Sequence, residues 1–255
     1  MEIFICIWLF ILGAIMGSFL SCMGYRIPNK IKTTYPSSFC NNCKKPLKWY
    51  MNIPIISYII LGGKCAYCHK KIGLIYFFCE LLCAILFGFN YYLFKFDFNF
   101  FISTILTCML IVTIVSDFEF YYISDRILII GGMLIIFVSF IFLEKNEALM
   151  RLVSGLIMFI VMFGIKLMGN RMFNRESLGD GDIKLMGIIG LSVGLLNSFV
   201  ALFFGSLTGI FFAIASIKNN KDGLIPFGPF LIIGALMVVY LSQYINPYLE
   251  QLLAI

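Results

Sequence analysis

The chain has 255 residues, of which 61% are apolar, 17% aromatic and only 13% charged, with a mean hydropathy of +0.98. That composition excludes a soluble globular domain and predicts a polytopic membrane protein. The formal net charge of +6 does not mark a nucleic-acid binder, because no basic helix with interleaved aromatic residues is present and a lysine- and arginine-rich membrane face accounts for the excess.

A spanning helix needs about 20 mostly apolar residues, with roughly 17 to 25 tolerated. On that basis spans are predicted near 3–23, 72–94, 98–116, 126–143, 149–169, 183–196, 198–217 and 226–245. The sixth is short, which suits a tilted segment or one buried among its neighbours. The expected fold is therefore all-α, about eight transmembrane helices with a small cytoplasmic insertion after the first. It divides into residues 1–23, the insertion 24–71, and a helical body 72–255. The first span has Glu2 before it and its basic residues after it, the reverse of a secretory signal peptide, so it is read as a retained anchor.

The insertion contains Arg26, Lys30, Lys32, Lys44, Lys45, Lys48, Lys64, Lys70 and Lys71 and no acid, which places it in the cytoplasm. Threading eight spans from there puts Arg126, Lys166, Arg171, Arg175, Lys184, Lys218 and Lys221 on the same side. Only Lys95, Lys145 and Arg151 fall on the other, so both termini are expected outside.

Within the insertion stand two CxxC pairs, Cys40-Asn41-Asn42-Cys43 and Cys65-Ala66-Tyr67-Cys68. Each pair lets two sulfurs approach one ion from a tight turn, and four thiolates suit a tetrahedral structural Zn²⁺ in a segment too small and polar for a core of its own. Disulfides or redox use are the weaker reading in a reducing compartment. Cys65 to His69 also matches the CxxCH pattern of covalent haem attachment. The neighbouring CxxC, the predicted compartment and the fact that His69 is the chain's single histidine argue against haem and for a solvated His69. Cys6, Cys22, Cys79, Cys83 and Cys108 lie in apolar runs and are expected to pack.

Further along, Glu80 falls just inside the second span, where a carboxylate is costly and usually functional, although snorkelling or pairing with a loop lysine would also explain it. Asp117 ends the apolar run of the third span, followed by Asp125. Asp182 closes Gly179-Asp180-Gly181-Asp182 at the start of the sixth. The charge pattern puts Asp117 and Asp182 at the same boundary. Two carboxylates about 4 Å apart at an effective dielectric near 20 repel by about 4 kcal/mol, so such a pair shares one proton and can act as acid and base together. Gly179 and Gly181 would let the backbone approach an extended substrate. The plainer alternative has these acids marking helix boundaries, with Asp180 as a cap. Pro226 and Pro229 exclude regular helix through Ile225–Phe230 and set the entry to the last span.

Taken in order, Gly17-Ser18-Phe19, Tyr25-Arg26-Ile27-Pro28, the two CxxC pairs, Glu80, the Asp117–Asp125 segment, Gly179-Asp180-Gly181-Asp182-Ile183-Lys184-Leu185 and Ile225-Pro226-Phe227-Gly228-Pro229-Phe230-Leu231 resemble the type IV prepilin peptidases, a GxGD-type family of membrane aspartyl proteases. The resemblance covers nearly the whole chain. It implies that Asp117 and Asp182 are the catalytic acids, with Gly179, Asp180, Gly181, Asp125 and Lys184 supporting them. The family pattern has proline before the acid matched by Asp125, where Ser124 stands here. The implied substrates are prepilins or pseudopilins with a short basic leader ending in glycine ahead of an apolar helix. Many members also methylate the new amino terminus from S-adenosylmethionine, an activity assigned to the cysteine-bearing region. With no GxGxxG after a strand, any such pocket is not a Rossmann site, and Glu80 is the candidate acid for it. A substrate helix could meet the small-residue face Gly205, Ser206, Thr208 and Gly209, though packing within the bundle is the simpler use.

Two other classes fit parts of the sequence. A proton- or ion-coupled transporter would use Asp117, Asp182 and Glu80 along a pathway, but its acids belong near mid-membrane on broken helices. A non-enzymatic scaffold for pilus or secretion assembly is the other.

Overall fold

The protein was analysed as a computed structural model, which describes residues 1–33, 35–174, 178–216 and 225–253. Arg175, Lys218 and Lys221 lie outside the described residues.

Each of the eight apolar segments forms a helix. In chain order these are α1 (Glu2–Arg26), α3 (Leu74–Phe94), α4 (Phe98–Phe120), α5 (Asp125–Phe142), α6 (Lys145–Phe173), α7 (Asp180–Val193), α8 (Leu195–Ser216) and α9 (Gly228–Leu253). Between α1 and α3 the insertion carries one 3₁₀ turn (Trp49–Asn52) and a five-residue helix, α2 (Ile56–Ile60). Among the described residues, six helices are long and apolar enough to cross a membrane. The expected short sixth span is α7, only 14 residues long. Within the described part of α9, Gly228–Ser242 forms a shorter apolar helix.

Burial separates centre from periphery. The apolar window of α4 is 67% buried against 22% for α1, so α4 is the central helix and α1 faces lipid over most of its length. One core joins Leu106, Leu110, Ile135, Met158, Leu185, Met186, Ile189, Leu231 and Ile232 from α4, α5, α6, α7 and α9. A second joins Leu20, Cys79, Cys83, Phe87, Ile111 and Val115 from α1, α3 and α4. Cys79 and Cys83 are thus packing residues.

Lipid tails are as apolar as the helices, so association depends on close approach of backbones. A Cβ on Gly13 would lie 2.7 Å from the Cys83 carbonyl, and one on Gly24 2.7 Å from that of Val112. These glycines clamp α1 onto α3 and α4. In α8 the small-residue face is used the same way: a Cβ on Gly205 would lie 3.0 Å from Leu231 Cα, and Gly209 faces Phe227 and Phe230. That face packs within the bundle.

The polar contacts sort the two ends of the bundle. At one end Lys95 pairs with Glu2 at 2.9 Å, and Arg151 donates to the Ser192 carbonyl and covers the Phe98 ring. At the other lie the insertion, the end of α4 and the starts of α5, α7 and α9. All of the acids singled out by the sequence, Glu80, Asp117, Asp125, Asp180 and Asp182, belong to this second end.

Candidate active site

Asp117 occupies the last turn of α4 and is only 6% exposed. The helix stops three residues later because Tyr121 turns left-handed (φ 51°), letting the Tyr121 and Tyr122 N–H groups donate to the carbonyls of Asp117 and Ser116, a glycine-type C-cap made here by tyrosine. The chain then runs through Ile123 and Ser124 into α5. Across from it, the Gly228 N–H at the start of α9 donates to Asp117 Oδ2 at 3.0 Å. Helix α9 begins at Gly228 and takes Pro229 and Phe230 into its first turn, so only residues 225–227 stay non-helical, and this helix start delivers a backbone donor to the acid.

Asp182 lies in the first turn of α7. Gly179 is the N-cap residue, so Asp180 does not cap the helix. The Asp182 side chain lies against Gly179, where a Cβ would stand 3.0 Å from Asp182 Oδ2. Its Oδ1 is buried without a hydrogen-bond partner among the described residues. Asp117 stands close enough for its charge to act directly on Asp182.

What brings the two acids together is Ile123. A Cβ on Gly181 would lie 2.8 Å from the Ile123 Cβ, and a Cβ on Gly228 would lie 2.7 Å from the Ile123 Cδ1 and 3.1 Å from Asp117 Oδ2. Ile123 is therefore wedged between the α7 and α9 entries, and both glycines are required by contact. Nothing in the sequence distinguished Ile123, whereas Gly228 stood inside a recognisable motif without a stated role.

The supporting residues form a rim. Lys184 Nζ donates to Asp125 Oδ1 at 2.7 Å, tying the start of α7 to that of α5. Lys166 pairs with the exposed Asp180 and ties α6 to the same loop. The Ser124 hydroxyl is buried with no partner among the described residues, so serine here supplies no side-chain cap to α5.

The second polar cluster is the insertion. One suitable atom from each of Cys40, Cys43, Cys65 and Cys68 lies within 4.8 Å of every other. The two knuckles are copies of one turn. In the first, Cys40 N–H donates to the Lys45 carbonyl and Lys44 N–H to that of Cys40; in the second, Cys65 N–H donates to Lys70 and His69 N–H to Cys65. Lys44 and His69 hold the same left-handed position, at φ 58° and 55°. His69 is exposed and is no part of the cluster. The Lys70 N–H and the Asn42 amide push the Cys68 thiol down to about 6, whereas Cys43, despite the Lys45 N–H, is driven up to about 11 by desolvation and the neighbouring sulfurs. A divalent cation would resolve this conflict by taking all four as thiolates, and the donor set and spacing fit tetrahedral zinc. Arg26, 4% exposed, donates to the carbonyls of Lys32, Thr33 and Ser37 and anchors the insertion to the end of α1.

Glu80 stands apart from the two aspartates, facing the insertion, where its Oε2 accepts the Ile55 N–H at 2.7 Å.

Comparison with known proteins gives this geometry its context. Residues 11–94 match the model for the bacterial peptidase A24 N-terminal domain, and residues 104–214 that for the type IV leader peptidase family. A prepilin leader peptidase/N-methyltransferase of Vibrio cholerae is 30% identical, with 94% of this chain and 98% of the relative covered.

The chain belongs to the type IV prepilin leader peptidase/N-methyltransferase family.

A relative of the same name from Bacillus subtilis is 29% identical over 96% of this chain and 98% of its own, and one from Pseudomonas aeruginosa is 26% identical over 94% and 92%. No solved structure matches the chain with significance. The two family matches divide the polar clusters between them. The N-terminal match contains the four cysteines and Glu80, and the leader-peptidase match contains Asp117, Asp125, Asp182 and Lys184.

Proposed function

We propose that this protein is an aspartyl endopeptidase of the bacterial inner membrane. It removes the basic leader from type IV prepilins or pseudopilins at the cytoplasmic face and then methylates the new amino terminus. The observation that carries this reading is the meeting of Asp117 and Asp182 from opposite parts of the sequence, around Ile123 and beneath the Gly228 N–H.

Two carboxyl groups so placed share one proton. The ionised member takes a proton from water, whose oxygen attacks the scissile carbonyl carbon. The protonated member donates to the carbonyl oxygen; the resulting diol then collapses, breaking the C–N bond, as the acid that took the proton from water gives it to the leaving amine and the other recovers a proton from a diol hydroxyl. Gly228 holds Asp117 in one orientation. The substrate's own apolar helix sets the height of its leader, so the scissile peptide arrives at the membrane surface where the acids lie. The Lys184–Asp125 and Lys166–Asp180 pairs position the first turn of α7, which carries Asp182. Location favours this reading over a transporter, because both acids stand at helix ends rather than at mid-membrane.

The peptidase core is assigned to residues 72–255, and methyl transfer to the insertion 24–71 with Glu80. Cys40, Cys43, Cys65 and Cys68 would hold Zn²⁺ and keep the insertion folded. S-adenosylmethionine supplies a methyl group activated by its positive sulfur. The basic insertion supports a cytoplasmic position for this whole end of the bundle.

Mass spectrometry of a prepilin co-expressed with the protein tests both activities at once. The expected mature chain begins after the leader glycine and carries one added methyl group on its nitrogen. An intact leader contradicts the peptidase reading, and a trimmed but unmethylated amino terminus contradicts the second activity.

A further inference from the structure

Between α1, α3 and the insertion lies a cavity of about 270 Å³, lined by Glu80, Ser18, Tyr25, Tyr58, Tyr76 and Asn41. Neither Asp117 nor Asp182 reaches it. Its size is at the small end of ligand pockets and suits one nucleoside-sized molecule rather than a peptide.

Three features of the cavity need a common cause. The first is an acid at a cost: Glu80 sits within α3 near the membrane boundary, and among the described residues no cation forms an ion pair with it. The second is a strained backbone. Ile55 adopts φ 63°, ψ −53°, a region that a β-branched side chain avoids, and in doing so directs its N–H to Glu80 Oε2. Local strain of this kind collects at ligand sites. The third is an aromatic wall, in which the rings of Tyr58 on α2 and Phe77 on α3 lie 4.9 Å apart and tilted by 30°. Ser18 of α1 lines the same cavity, and the insertion holds the carboxylate through the Ile55 N–H.

An unpaired carboxylate between aromatic faces is a site for a cation joined to a flat heterocycle. We infer that this cavity binds S-adenosylmethionine, with Glu80 facing its positively charged sulfur or ammonium group and the Tyr58 and Phe77 wall covering the adenine. Lys70 and Lys71, which also line the cavity, suit the ligand's carboxylate. The assignment rests on the methyl-transfer reading above. It gives the zinc knuckles a role: Cys40 and Cys65 line the same cavity, so the metal would hold one wall of it.

Equilibrium dialysis on the zinc-loaded full chain in nanodiscs, with tritiated S-adenosylmethionine and with S-adenosylhomocysteine, tests the site. Glu80→Gln keeps an acceptor for the Ile55 N–H and removes only the charge. It is expected to weaken S-adenosylmethionine by about tenfold or more and the uncharged thioether much less, as loss of a charge-assisted contact requires. Tyr58→Leu is expected to weaken both. Unchanged binding of both ligands by Glu80→Gln, at wild-type zinc content, overturns the site while leaving methyl transfer standing. A wild-type protein that neither binds the ligand nor methylates a co-expressed prepilin overturns the methyl-transfer reading itself. Ultraviolet cross-linking of the tritiated ligand to wild-type protein needs no variant to fold. Label is expected on peptides containing Tyr25, Tyr58 or Tyr76, and label confined to other segments overturns the site.

Discussion

Asp117 and Gly228, 111 residues apart, are joined by a 3.0 Å hydrogen bond from the glycine N–H to the carboxylate. The bond fixes one acid to the entry of the last helix. The same glycine leaves no space for a side chain, since a Cβ would press on Ile123, Thr113 and Asp117. Gly228→Ala should therefore displace Asp117 without disturbing the distant core. Because a 1 Å misplacement can cost about 10²-fold in rate, leader cleavage should fall by about one to two orders of magnitude. Cleavage kinetics with a purified prepilin, alongside unchanged zinc content, measure this.

Lys184 and Asp125 are about half exposed, so their pairing contributes about 1 kcal/mol or less to stability. Its use is positional. Lys184→Met and Asp125→Asn should each lower cleavage by about tenfold, roughly 1.4 kcal/mol of barrier, with little change in thermal unfolding. The exchanged pair Asp125→Lys with Lys184→Asp should recover part of the loss. A double-mutant cycle showing no coupling between the two positions would contradict the positional role.

Replacing any of Cys40, Cys43, Cys65 or Cys68 by serine should abolish stoichiometric zinc, because no second set of ligands stands within reach of the cluster among the described residues. On the proposed role of zinc in keeping the insertion folded, methyl transfer should be lost first, while cleavage by the helical body falls less. Ligation takes all four sulfurs as thiolates, so zinc uptake by metal-stripped protein should be favoured at neutral pH and lost as the pH is lowered. Elemental analysis across a pH series measures it.

A carboxyl pair that works with one proton is active only between the loss of its first proton and the loss of its second. Leader cleavage should therefore follow a bell-shaped pH profile that belongs to the pair. A rate that rises monotonically through the range would point to a single titrating group.

Much of this was legible in the sequence, because it depends on composition and short-range spacing. Hydropathy located the eight long apolar helices, including the shortness of α7, but not the five-residue α2, and the positive-charge bias put Asp117 and Asp182 at one face. The CxxC spacing implied a four-sulfur cluster, and the paired turns of Cys40–Lys45 and Cys65–Lys70 supply it. What escaped depends on contacts between distant segments. Ile123 looks like any apolar loop residue until Gly181 and Gly228 close on it. Glu80 reads as a costly membrane acid, but its partner is a backbone N–H from Ile55, which leaves no trace in residue type. The plainer alternative for Asp180, a helix cap, does not hold, because Gly179 has that position and Asp180 turns outward to Lys166.

The most direct test concerns the two acids themselves. Leader cleavage of a co-expressed prepilin should be measured for wild type, Asp117→Asn, Asp182→Asn and the double variant, with each protein's membrane level and zinc content matched. Acids that work as one unit lose nearly everything at the first substitution. Each single variant should fall by about three orders of magnitude or more, and the double variant should be no worse. Cleavage that survives near wild-type rate in either single variant would contradict the account.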